Sequence, residues 1–345
     1  MENIKLENKA IGPLHLGMTR QQTEEALNCL LREWGPDFDS PISQTEEEWY
    51  GFEGSCVRYI FGRFSALFLV HFNSEGKSVC ITFDSSVSLY REVLFEEIPV
   101  FSAEAAEVIY QLNQQHSFLC DSENPQTGYH YVFPQLGIDF ERADSICYET
   151  ASDFMGEEGL DADDFSHFHL LFVRLFDPNY LNALSLHEAE EILPQHFIPK
   201  LPNFPKAVGE LFSLQIGLSK EQTEQAVAAL LHTPAAQTTQ IGRFEQVSYR
   251  SEQGQICVWY DQNQKSVAFQ TEDCPAFPVL ESFPQLNFLQ GVLESLSQKD
   301  ILVCNCEQFA FPHFGMSFSR NGEHCSSLTV FCPSFWLSSF MLGIF

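Results

Sequence analysis

The chain of 345 residues is 44% apolar and holds 33 phenylalanines, which excludes a disordered chain and supplies side chains for two globular cores. Its 47 acidic residues outweigh 18 basic ones for a formal charge of −29. With no cluster of lysine and arginine to neutralise phosphates, a direct nucleic-acid ligand is excluded. Eleven cysteines, an odd number scattered mostly through apolar runs, read as reduced thiols of a cytoplasmic protein, and the opening MENIKLENKA lacks the apolar stretch of a secretory signal.

The first predicted element is a helix reached through a sharp turn. Gly17 suits a positive φ, Thr19 and Gln22 have the spacing of a capping box, and Ala26, Leu27, Leu30 and Leu31 form one apolar stripe. The acidic run Glu46-Glu47-Glu48 follows. Strand-like runs at 66–72 and 79–83 flank Asn73-Ser-Glu-Gly76 and predict a hairpin, after which 103–114 has the apolar spacing of a helix. FPQLGIDFER (133–142) lies in a strand whose apolar residues alternate (Tyr131, Phe133, Leu136, Ile138, Phe140), with the Pro-Gly pair kinking it as a bulge would. A second acidic stretch holds Glu157, Glu158, Asp161, Asp163 and Asp164. The segment 185–206 reads as a short acidic helix around Glu188–Ile192 and then a stiff connector containing Pro194, Pro199, Pro202 and Pro205, with Phe197, Ile198 and Phe204 available to tack it down.

From residue 214 the same order returns. LHLGMTRQQTEEALNCLL (14–31) is answered by LQIGLSKEQTEQAVAALL (214–231), with eight identities in eighteen positions. Lys77-Ser78-Val79 is answered by Lys265-Ser266-Val267, FPQLGIDFER by FPHFGMSFSR (311–320), and Phe176-Asp-Pro-Asn-Tyr180 by Phe331-Cys-Pro-Ser-Phe335. The hairpin returns at 256–260 and 267–269, and the second helix at Leu286–Ser297. An echo held in order along the chain is internal duplication, and a unit of about 130–170 residues is domain-sized. The expected architecture is α+β, with two tandem homologous modules, 1–184 and 207–345, joined by the Pro-rich linker 185–206. Each module is expected to be an antiparallel sheet with two helices packed on one face, in the order α-β-β-α-β-β. The uncharged tail Ser326–Phe345 reads as a core strand, because Pro333, five serines and the lack of a flanking basic cluster argue against a membrane span.

No pattern fixes a reaction. GxGxxG, GxxxxGK and GxSxG are absent. His187-Glu188-Ala-Glu-Glu191 lacks the second histidine of a zincin helix, and Asp161-Ala-Asp163 lacks the glycine and closing glutamate of a calcium loop. Cys304-Asn-Cys306 has the wrong spacing for half of a zinc site, although a strand would let it meet Cys325 and His313 or His324; His167-Phe-His169 would put two imidazoles on one strand face. In each case the ordinary strand or surface role is preferred, and no catalytic residue, metal or cofactor is assigned.

Charge is unevenly spread. Residues 1–200 hold 34 acidic and 11 basic side chains, a balance of −23, whereas 201–345 hold 13 and 7, or −6. The excess sits where the first module departs from the second. This makes Glu46, Glu47, Glu48, Glu157, Glu158, Asp161, Asp163 and Asp164 the candidate partner-binding residues, an acidic field that would steer a basic protein. An acidic chain rich in Phe and Cys, with modules opening in LGMTRQQ, resembles the immunity proteins of bacterial polymorphic-toxin and contact-dependent inhibition systems. That resemblance implies a bacterial cytoplasmic protein that binds one cognate toxin domain, often a basic nuclease, and occludes its active site. The expected function is a non-enzymatic inhibitor whose partner is a basic protein, without direct contact to nucleic acid or membrane. The alternatives are an enzyme using His167, His169 and Asp177 between the modules, and a structural interaction protein.

Overall fold

The computed structural model describes residues 3–34, 42–47, 54–61, 65–147, 150–151, 160–177, 180, 189–200, 210–211, 214–232, 234–252, 254–272, 302–305, 308–321 and 324–335. Of these, 47% lie in strands and 21% in helices. The chain divides into two units, residues 2–147 with 167–200 and residues 148–166 with 201–345. The expected α+β modules are thereby corrected to a mostly β fold dominated by three large, largely antiparallel sheets.

In the first unit, β1 (Ile4–Glu7), β2 (Ala10–Ile11), β3 (Leu14–His15), β8 (Val93–Phe95) and β9 (Ile98–Pro99) make a five-stranded sheet in the order β3-β2-β1-β8-β9. A nine-stranded sheet uses β4 (Ser43–Glu47), β5 (Gly54–Phe61), β6 (Ala66–Asn73), β7 (Ser78–Asp84), β10 (Phe118–Cys120), β11 (His130–Phe133), β12 (Ile138–Glu141), β14 (Phe172–Phe176) and β15 (Glu190–Ile192). Its order is β15-β10-β11-β12-β14-β7-β6-β5-β4. Helices α1 (Arg20–Trp34) and α2 (Ala105–Asn113) bury Leu27, Leu30, Val108, Ile109 and Leu112 in one core with Val57, Phe68, Phe83, Phe133, Phe140 and Val173 of this sheet. The capping box of α1 is formed, with Thr19 N donating to Gln22 Oε1 (2.9 Å) and Gln22 N to Thr19 Oγ1 (3.3 Å).

The second unit contains β13 (Leu160–Asp161), helix α3 (Ala162–Ser166), β16 (Glu210–Leu211), β17 (Leu214–Gln215) and helix α4 (Lys220–Leu231). Then follow β18 (Ala235–Ile241), β19 (Phe244–Ser251), β20 (Gly254–Tyr260), β21 (Ser266–Glu272), β22 (Val303–Asn305), β23 (Gln308–Phe311), β24 (Met316–Asn321) and β25 (His324–Phe331). Its nine-stranded sheet runs β13-β22-β23-β24-β25-β21-β20-β19-β18, position for position the order of the first. The α4 capping box, Ser219 with Gln222, is also present. The predicted helix 286–297 lies outside the described residues.

The repeated motifs prove to be contacts with one another. Gly17 (φ 87°) and Gly217 (φ 91°) make the turn before each helix, and a Cβ at either would meet nothing within 4 Å, so backbone conformation alone demands glycine there. Each turn is held by the serine of the Lys-Ser-Val echo. Gly17 N donates to Ser78 O and Ser78 N to Met18 O, both 2.8 Å; Gly217 N donates to Ser266 O (2.8 Å) and Ser266 N to Leu218 O (2.9 Å). Both serines are buried. The expected Pro-Gly bulge is instead a tight hairpin between β11 and β12, with Leu136 N and Gly137 N donating to Phe133 O at 3.0 Å. Gly137 O then accepts from Phe176 N (2.9 Å), as Gly315 O accepts from Phe331 N (2.8 Å), which ties the third echo to the fourth.

Sequence patterning missed strands that have no apolar face. In β18, AAQTTQI, six of seven residues are exposed, and backbone pairing with β19 alone makes it a strand. The same holds for β4, SQTEE, beside β5. Glu190–Ile192, expected as helix, pairs antiparallel with β10, because the edge of the sheet supplies partners that the acidic segment cannot supply itself. Residues 185–200 cluster with the first unit, where Phe197 is buried in the core and Asn113 bonds Phe197 N (2.9 Å) and Leu193 O (2.9 Å), while Ile198 is 76% exposed. In the tail, Leu328, Val330, Phe331 and Phe335 are buried, and 336–345 lie outside the described residues. No helix among the described residues is long and apolar enough to cross a membrane.

Candidate functional site

Alternation along the strands puts Ile138 and Phe140 of β12, Val173 and Leu175 of β14, and Tyr131 and Phe133 of β11 into the first unit's core. The intervening residues, Asp139, Glu141, Arg174 and His130, therefore take the other face of the sheet. Register makes Asp139 the direct cross-strand partner of Arg174, and His130 that of Glu141. Arg174 Nη1 donates to Asp139 Oδ2 at 2.5 Å and Nη2 to Glu141 Oε2 at 3.1 Å, while His130 Nδ1 lies 3.3 Å from the same Asp139 oxygen.

The group is deeply set. Asp139 is 1% exposed, and the Arg174 side chain 17%. A buried carboxylate costs several kcal/mol to desolvate, a cost the guanidinium offsets at one oxygen. The other oxygen, Oδ1, is buried with no hydrogen-bond partner. The hydrogen bond to Asp139 raises the pKa of His130, and burial raises that of Glu141 against the pull of Arg174.

On the same face, His71 Nδ1 and Tyr180 Oη are 2.9 Å apart, with Cys56 and Cys80 directly across from His71 on the neighbouring strands. Burial lowers the His71 pKa to about 4 and pushes the thiols of Cys56 and Cys80 up to about 12. These cysteines stay protonated and are not nucleophiles at neutral pH.

The second unit shows which of these groups its sheet requires. At the positions of His130, Asp139, Glu141 and Arg174 stand Gln308, Ser317, Ser319 and Thr329, with Ser317 opposite Thr329 and Gln308 opposite Ser319. At His71, Tyr180 and Cys80 stand Trp259, Phe335 and Ala268, and the two ring pairs keep similar spacing, 5.6 Å and 6.0 Å. Neutral residues satisfy the same strand order and register. The charged group is an addition to the first unit rather than a condition of its fold.

The eight acidic residues expected to bind a partner do not form one set. Glu46 pairs with Arg20 (2.5 Å) and Glu47 with Arg58 (2.6 Å), so both are partly neutralised within the first unit. Asp161 lies in β13, and Asp163 and a half-buried Asp164 lie in α3, in the second unit. Glu48, Glu157 and Glu158 lie outside the described residues. Because 148–166 carries seven acidic and no basic residues, moving it changes the division of charge. The first unit holds 27 acidic and 11 basic residues, a balance of −16, and the second 20 and 7, or −13. The acidity expected of one module belongs to both.

The other candidates fare differently. His167 and His169 share no strand; His167 sits in a turn, 4.0 Å from Asp144, and His169 Nδ1 lies 3.0 Å from Ala103 O. Asp177 closes β14 through its backbone N, bonded to Val79 O (2.9 Å). Cys304 is half-buried in β22 and His313 stacks edge-on against Phe165, while Cys306 lies outside the described residues. Arg142 is an internal anchor, donating to Gln126 O (2.8 Å), His167 O (3.0 Å) and Ile146 O. Sequence reasoning passed over His130, Asp139, Glu141 and Arg174. Their signal lay in the positions where the echoes differ, IDFER against MSFSR and VRLF against LTVF, and not where they agree. Comparisons with family models, curated proteins and solved structures find no match.

Proposed function

We propose that this chain is a non-enzymatic, protein-binding inhibitor of the immunity type, acting in the cytoplasm on a basic cognate toxin domain. The observation that supports it is the acidic insert 148–166, which holds Glu157, Glu158, Asp161, Asp163 and Asp164, has no basic residue, and supplies the edge strand β13 to the second unit's sheet. The proposed docking element is thus this insert, and not Glu46 and Glu47, which already face Arg20 and Arg58. A single-sign field of this kind speeds encounter with a basic partner and weakens with salt.

The test is capture of the partner from host lysate, followed by assay of that partner's own activity. A basic protein inhibited at one-to-one stoichiometry supports the reading. Reversing Glu157, Glu158, Asp161, Asp163 and Asp164 to lysine is expected to slow association at least 10-fold at low salt and flatten its salt dependence. Unchanged association, or a captured partner whose activity is unaffected, overturns it.

A further inference from the structure

We propose that His130, Asp139 and Glu141 form a binding site for a first-row divalent cation, with Zn2+ the best match, and that Arg174 positions its carboxylates. One ligand atom from each of the three residues already lies within 4.8 Å of the others. The inference is independent of the inhibitor reading.

The argument begins with the unsatisfied oxygen. Buried polar atoms in folded proteins are nearly always bonded, and those that are not call for an explanation. Asp139 Oδ1 has no partner, although the carboxylate is almost fully buried. Arg174 takes up one oxygen of each carboxylate, Oδ2 of Asp139 and Oε2 of Glu141. This fixes both groups while each keeps a second oxygen for a ligand, the arrangement in which outer hydrogen bonds orient metal-binding carboxylates.

The charge agrees. Two carboxylates and one guanidinium leave a net −1 beside a histidine, and the burial of Asp139 between half-buried His130 and Glu141 strengthens its attraction for a cation. An imidazole nitrogen with two carboxylate oxygens suits Zn2+ or Mn2+ better than Mg2+ or Ca2+, which prefer all-oxygen sets. Three protein ligands also leave coordination positions open. At the matching positions the second unit has Gln308, Ser317 and Ser319, so among the described residues its sheet does not repeat this ligand set.

The experiment is calorimetric titration of the chelator-treated full chain with Zn2+, Mn2+ and Mg2+, with elemental analysis after dialysis. One zinc per chain is expected, with Mn2+ weaker and Mg2+ silent. The variant His130→Gln, Asp139→Ser, Glu141→Ser, Arg174→Thr installs the second unit's residues, which this strand register accommodates. It is expected to lose at least 100-fold in zinc affinity. X-ray absorption of the zinc-loaded native chain supplies a readout that needs no variant, with nitrogen and oxygen donors and no sulfur expected. No retained zinc, equal binding by the variant, or a sulfur shell from the cysteines would each overturn the assignment.

Discussion

Replacing Asp139 with serine removes one partner of a buried ion pair and strands the other. Arg174 is 17% exposed and keeps only Glu141, itself 27% exposed, at 3.1 Å. Breaking a buried pair from one side costs about 3–5 kcal/mol, and the remaining half-exposed carboxylate puts this case near the lower figure, about 3 kcal/mol. The double replacement Asp139→Ser, Arg174→Thr reproduces the Ser317–Thr329 pair at the same register. It leaves no buried charge, and should cost about 1 kcal/mol or less. Urea unfolding of the wild type, both single variants and the double variant gives the cycle directly. The expected result is a double variant more stable than the Asp139→Ser single by about 2 kcal/mol. If the double variant is instead as unstable as the sum of the singles, the pair is not coupled and the reading of the face as an optional charged addition is refuted.

Burial of His71 and the conformation of the turn glycines give two further predictions. His71 is held neutral, with a pKa near 4 caused first by burial and then by Arg174, and it faces Tyr180, Cys56 and Cys80. Its folded pKa is below the unfolded value of about 6.5, so the unfolded chain binds the proton first as pH falls; stability is full above that value and should drop by about 2 kcal/mol between about pH 6.5 and about pH 5. A His71→Gln variant should lose this slope in urea melts, and an unchanged slope would assign it to other groups. The two turn glycines should differ as well. Gly137→Ala meets Phe176 O at 2.7 Å with φ at 68°, whereas Gly17→Ala has φ at 87° and open space. Gly17→Ala should cost about 1 kcal/mol and Gly137→Ala at least twice that; equal melting shifts would show that the approach to Phe176 is not felt.

What the sequence determined by itself was local. Capping pairs at Thr19–Gln22 and Ser219–Gln222, the glycine turns, the helix stripes and the hairpins at 66–84 and 254–272 are written within a few residues of one another, where backbone sterics and short-range hydrogen bonds act. The echoes also announced which segments matter, but not that they touch. Tertiary structure decided what depends on partners far along the chain. Polar strands such as 235–241 exist only because a neighbouring strand accepts them. The insert 148–166 lies within the first module in sequence, yet β13 pairs with β22 of the second unit. Asp139 and Arg174, 35 residues apart, become one site through register alone. Alternation tells which face a side chain takes; only the closed ladder of hydrogen bonds tells which residue stands opposite, and a charge becomes chemistry only when that neighbour is known.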